Sequence, residues 1–79
     1  MKKPEMIIDL SGPEGNIYVI LAKASDILHK QHRINDFNEL RDKVYASHSH
    51  GEALKNVIEY INIIDTSENN LLEKYLKSA

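Results

Sequence analysis

Seventy-nine residues, 42 % hydrophobic and 28 % charged, describe one folded domain and not a disordered tail. Ten Lys and Arg against twelve Asp and Glu leave a net charge of −2, without the basic surplus of a phosphate-neutralising nucleic-acid binder and too weakly acidic to imitate DNA. A chain this short buries only about 60 % of the surface it exposes when unfolded, and it has no cysteine to staple it, so packing or association must hold it, as suits a reducing compartment.

The N-terminal segment MKKPEMIIDLSGPEG carries Lys2 and Lys3 but too short an apolar stretch for a signal sequence. The longest apolar run, IYVILA, is six residues, against about 20 needed to cross a bilayer. A soluble cytoplasmic protein with no membrane contact is expected.

Residues 6 to 10 alternate as a strand, with Met6, Ile8 and Leu10 on one side and Ile7 and Asp9 on the other. SGPEGN, residues 11 to 16, then opens the first helix. Ser11 and Glu14 have capping-box spacing, Pro13 is tolerated in a first turn, and Asn16 is a rival cap. That helix runs to about His29 or Gln31, with Ile17, Ile20, Leu21, Ala24, Ile27 and Leu28 on one stripe. Tyr18, Ala22, Ser25 and His29 form a second, more polar stripe.

RIND, residues 33 to 36, breaks the helix, and Asn35 or Asp36 caps a second one that buries Phe37, Leu40 and Val44. SHSHG, residues 47 to 51, breaks again. Ser49 and Glu52 repeat the capping-box spacing ahead of a third helix burying Ala53, Leu54, Val57, Ile58 and Ile61. INIID is open to two readings, a helical pattern continued through Ile61 or a strand, and its β-branched run favours a second strand over residues 62 to 65. TSEN then forms a turn with a cap at Ser67, and Leu71, Leu72, Tyr75 and Leu76 mark a terminal helix. The expected fold is a single α+β domain over residues 1 to 79, ordered β-α-α-α-β-α, with a two-stranded antiparallel sheet covered by helices. Two strands alone make a weak sheet with open edges, so a homo-oligomer is expected.

Glycine-rich turns between strand and helix can cradle phosphate. DLSGPEGN has that position but lacks Gly-Lys-Ser/Thr, loses a donor at Pro13, and carries Asp9 and Glu14, which repel anions. Asp9, Ser11, Gly12, Pro13, Glu14, Gly15 and Asn16 therefore read as a structural turn, with Gly15 serving a tight approach or an unusual dihedral. His29 and His32 are spaced to share a helix face, and His48 and His50 lie in a turn. Without cysteine, and on separate segments, they make a poor zinc set, and no metal or cofactor is expected. Ser11, Ser25, Ser47, Ser49, Ser67 and Ser78 all fall at turns, caps, the polar stripe or the tail. The Asp36 and Glu39 carboxylates suit a helix start. No catalytic constellation emerges, and the expectation is a non-enzyme. The stripe of Tyr18, Ala22, Ser25 and His29 suits a docking surface, since aromatics anchor interfaces; equally, Tyr18 packs against the second or third helix and the rest of the stripe is solvated.

IIDLSGPEGN followed by an apolar helix resembles the opening of small, uncharacterised proteins of tailed bacteriophages, in which a strand of the type I-x-L/D-L-S/T-G-P-D/E-G-N leads into a helix of apolar and small residues. The similarity is strong over residues 7 to 24 and fainter over 39 to 64. There GEALKNVIEYINII stands where the family has an acidic-aromatic helix before a closing strand, and it lacks the family's aromatic-Gly pair. The resemblance implies a viral accessory protein and carries over no active site. By analogy with such proteins, it would bind and redirect a host or antiviral-defence protein in the host cytoplasm. A second expectation is a small-molecule or nucleotide sponge, acting as an oligomer or at the SGPEGN turn. A third, a nucleic-acid binder, has only Lys23, Lys30, His32, Arg33, Arg41 and Lys43 as a basic group and is disfavoured by the balanced charge.

Overall fold

The computed structural model describes residues 3–68 and 70–77. Lys2, Asn69 of the TSEN turn and Ser78 of the tail lie outside the described residues. In chain order the elements are β1 (Glu5–Ile8), a single 3-10 turn (Pro13–Gly15), α1 (Ile17–Lys30), α2 (Ile34–Tyr45), α3 (His50–Ile58), β2 (Asn62–Asp65) and α4 (Leu71–Lys77).

The two strands are parallel, not antiparallel as expected. Glu5 stands beside Asn62 and Ile8 beside Asp65, and Asn62 N–H donates to the Pro4 carbonyl at the start of β1. The reason lies in the connections. Short links such as residues 31–33 and 46–49 each turn the chain back on itself. An odd number of intervening helices therefore returns it to the end from which β1 set out, and a parallel pair requires a long crossover of this kind.

Alternation along each strand sorts its side chains. Met6, Ile8 and Ile63 face the helices and are buried, as is Leu10 just past β1, whereas Ile7 and Ile64 face outward. Ile20, Leu21, Ala24 and Leu28 meet them from α1, Leu40 and Val44 from α2, and Ala53, Leu54 and Val57 from α3. Removing a side chain such as Leu28, Leu40 or Leu54 from water contributes about 1.5–3 kcal/mol. Ile17, Ile27, Phe37 and Ile58 lie only partly buried at the margin of this core, as do Leu71, Leu72, Tyr75 and Leu76 of α4. Among the described residues no helix is long and apolar enough to cross a membrane.

The helix ends correct two local expectations. Asn16, not the Ser11–Glu14 box, caps α1: its side-chain oxygen accepts from Tyr18 N–H at 2.8 Å. Ser11 instead donates its hydroxyl and its N–H to Asp9, and Glu14 pairs with Lys23 at 2.8 Å. At α2 neither Asn35 nor Asp36 is the cap. The helix starts at Ile34 after Arg33, whose Nε donates to Asp36 at 2.7 Å. Asp36 therefore serves the first turn from inside it, where negative charge is favoured. Ser49 caps α3, accepting from Glu52 N–H at 3.1 Å, and Glu52 reaches back to His48 N–H at 3.1 Å.

Candidate interaction surface

The SGPEGN turn is closed on itself. Gly12 N–H donates to the Asp9 carbonyl, Gly15 N–H to Gly12 and Asn16 N–H to Pro13, at 3.3, 2.9 and 3.2 Å. Those donors are spent inside the turn, and a phosphate would meet Asp9 and Glu14. Gly15 is required by close approach and not by its dihedral. No glycine has a positive φ, but a Cβ at Gly15 would be driven into the Leu10 carbonyl group.

The histidines do not converge. His29 Nδ1–H donates to the Ser25 carbonyl at 2.6 Å, and its ring tilts against Phe37 at 5.9 Å. His32 lies past the end of α1 with φ 59°. Its N–H reaches the His29 carbonyl, while Arg33 N–H reaches Leu28, the paired bonds of a Schellman termination. The two rings therefore do not share a helix face. His50 stacks edge-on against Tyr75 at 4.7 Å. Among the described residues no group of three or more His, Cys, Asp or Glu is placed to hold a metal ion.

The serine hydroxyls of SHSH are occupied structurally. Ser47 Oγ donates to the Lys43 carbonyl and accepts from Asn56 Nδ2, and Ser49 Oγ caps α3. The basic group is likewise neutralised locally. Lys23, Lys30, Arg33, Arg41 and Lys43 pair with Glu14, Asp26, Asp36, Asp42 and Glu59 at 2.7–3.5 Å. Contact with Tyr60, and after it Glu59, raises the Lys43 pKa above the ordinary lysine value. Glu39, expected only as a helix-start carboxylate, accepts from Tyr60 Oη at 3.2 Å.

Tyr18 is 69 % exposed. It sits at the start of α1, and His29, eleven residues on, is about 16 Å away along the helix. The stripe of Tyr18, Ala22, Ser25 and His29 thus spreads over the outer face of α1 and does not close into one pocket. Tyr18 instead joins Tyr45, at the end of α2 and 64 % exposed. Together with Ile17, Val44, Ala53 and the SHSH turn they line an open groove of about 320 Å³. Buried Val44 and Ala53 give it an apolar floor, and the SHSH turn a polar rim. Tyr45 escaped notice in the sequence because its helix reads as amphipathic without it. Its signal is an aromatic at a helix end on the polar side.

Asp65, also not anticipated, ties the two ends of the fold together. Its carboxylate accepts from Ser67 Oγ at 2.7 Å, Ser67 N–H at 2.9 Å, Leu72 N–H at 3.1 Å and Leu10 N–H at 3.3 Å. Burial pushes its pKa up, but these bonds, led by the Ser67 hydroxyl, outweigh burial and hold it below the ordinary value. Ser67 Oγ accepts in turn from Leu71 N–H at 3.3 Å, so the pair caps α4. The clue was the Asp-x-Ser spacing, which permits the side chain to bond the backbone two residues on.

No family model, no curated protein and no solved structure matches this chain.

Proposed function

We propose that this chain is a non-catalytic phage accessory protein that binds and modulates a host or antiviral-defence protein in the host cytoplasm, and that it docks its partner on the Tyr18–Tyr45 groove. The observation that carries the reading is the pair of tyrosines, 69 % and 64 % exposed, standing on neighbouring helices beside an apolar floor. Tyrosine brings large contact area, a hydrogen-bonding tip and little rotamer entropy to an interface. The phage assignment rests on the IIDLSGPEGN opening. Local pairing of five Lys and Arg side chains argues against nucleic acid as the partner.

Capture of partners from bacterial lysate by tagged wild type, Tyr18→Ala and Tyr45→Ala tests this. Both side chains are exposed, so the variants should keep wild-type stability to within about 0.5 kcal/mol. A stoichiometric partner should then be captured at least about tenfold more weakly by each variant. Equal capture by all three proteins rejects the groove. A second reading, a small-molecule or nucleotide sponge, draws on the groove volume of about 320 Å³, at the lower end of ligand pockets. Native mass spectrometry showing a retained ligand, released by Tyr45→Ala, would put that reading first.

A further inference from the structure

Among the described residues β1 pairs along one edge, with β2, and its other edge is open. The Pro4 and Ile8 carbonyls accept from Asn62 and Thr66 N–H, each at 2.8 Å. In the parallel register that joins Glu5 to Asn62 and Ile8 to Asp65, the ladder then uses the backbone groups of Met6 and Ile8. The N–H and C=O groups of Glu5 and Ile7 must point the other way. On that side a groove of about 240 Å³ separates β1 from Lys23, Asp26 and Ile27 of α1, and no residue of β2 lines it. Pro4 does not block this edge, because its nitrogen faces β2.

The outer face of the sheet also carries exposed apolar side chains. Ile7 and Ile64 are direct neighbours in the register, 65 % and 36 % exposed. Parallel strands are ordinarily covered on both faces, whereas the helices cover only the Met6, Ile8 and Ile63 face of this sheet. This goes beyond the binding reading above and uses a different surface.

We infer that β1 pairs antiparallel with β1 of a second copy of this chain, making a four-stranded sheet with β2 at each outer edge. Charge complementarity selects the register. Only outward-pointing residues can exchange both N–H···O bonds, so Glu5 and Ile7 must meet outward-pointing residues of the partner. Centring the two-fold on Glu5 sets Glu5 against the partner's Glu5. Centring it on Ile7 sets Glu5 against the partner's Asp9. Both registers oppose like charges. Centring it on Met6 sets Glu5 against the partner's Ile7 and Lys3 against the partner's Asp9, twice over by symmetry. Of these three registers only the last joins opposite charges, and it brings the Ile7 side chains of both copies onto one face. One centred on Pro4 also sets Glu5 against the partner's Lys3, but it pairs no other outward residue of β1 with a described residue of the partner. Lys3 Nζ gives up a bond to the exposed Ile58 carbonyl at 2.8 Å to reach its new partner. Ser11 uses only Oδ1 of Asp9, so Oδ2 is left to accept.

Sedimentation velocity of the full chain over a range of concentrations tests the arrangement. Wild type should reach twice the chain mass. Lys3→Glu and Asp9→Lys should each weaken the dimer at least about tenfold, since each sets two like pairs face to face. An equal mixture of the two variants should recover it, because every charge pair in the mixed dimer is opposite. Ile7→Pro removes an N–H that points outward, so the far-UV circular dichroism spectrum should persist while the dimer is lost. Should Asp9→Lys fail to fold, Lys3→Glu and Ile7→Pro remain decisive. A monomer at every concentration overturns the inference. A dimer that survives Ile7→Pro or both charge reversals also overturns it, and moves any association to another surface.

Discussion

A methyl group added at Gly15 probes the joint between β1 and α1 directly. Built on the native backbone, its Cβ would overlap the Leu10 carbonyl oxygen and stand 3.0 Å from the carbonyl carbon and 3.3 Å from Cα. All three obstacles are backbone atoms, with no flexible side chain to swing aside. Leu10 cannot easily yield, since it is 5 % exposed and its N–H is held by Asp65 at 3.3 Å. Relief requires the turn or the strand end to move, an overpacking cost of about 1–3 kcal/mol. The whole fold, at roughly 0.05–0.15 kcal/mol per residue, has only about 4–12 kcal/mol to lose. Gly12→Ala is the matched control. Gly12 has φ −105° and ψ −165°, open to any residue, and its Cβ would lie 3.9 Å from the nearest heavy atom. That change should be neutral or stabilise by up to about 1 kcal/mol through the unfolded chain. Urea unfolding followed by circular dichroism should show unchanged slopes, a midpoint lowered by roughly 1–3 M for Gly15→Ala and little change for Gly12→Ala. A Gly15→Ala protein within about 0.5 kcal/mol of wild type, or a Gly12→Ala protein that is the weaker of the two, would refute the close-approach account.

Asp65→Ala leaves four donors without their acceptor and should destabilise by about 2–4 kcal/mol at neutral pH, given about 1.5–3 kcal/mol for a bond to a charged group and incomplete additivity. Because the folded-state pKa of Asp65 is lowered, its contribution is full above the unfolded value of about 3.9 and is lost as pH falls through the lower folded value. The wild-type advantage over Asp65→Ala in urea midpoint should therefore shrink below about pH 4. An advantage constant from neutral pH to pH 2 would contradict the ionised clasp. His32 is exposed and left-handed at φ 59°, so His32→Gly should raise stability by roughly 0.5–1 kcal/mol. A lower thermal midpoint for that variant would show that the ring contributes something its exposure does not suggest.

The elements themselves were legible because each rests on neighbours in sequence. Period two in Met6, Ile8 and Leu10 and period 3.6 through Ile20, Leu21, Ala24 and Leu28 report which side will face a core, whatever that core becomes. The β-branched run marked β2 at residues 62 to 65, where the strand is found. Ser49 was legible as a cap for the same reason, since its acceptor and donor lie three residues apart. At α1 two candidates satisfied the same local rule. Asn16 prevailed because the 3-10 turn at Pro13–Gly15 keeps the helix from starting until Ile17.

Strand direction was not local, although it could have been counted: three helices joined by short reversals bring the chain back to where it started. Tyr45 and Asp65 lay further from reach. Tyr45 gains meaning only when α1 places Tyr18 across the groove, 27 positions away in the chain. Asp65 gains it only when the end of β1 and the start of α4 arrive beside the end of β2. By itself, the sequence determined which segments become helix or strand and which face of each turns inward, because burial of apolar area acts on every segment separately. The parallel pairing, the clasp at Asp65 and the two-tyrosine groove were decided only in the tertiary structure, because each is a meeting of groups whose separation along the chain carries no local signal.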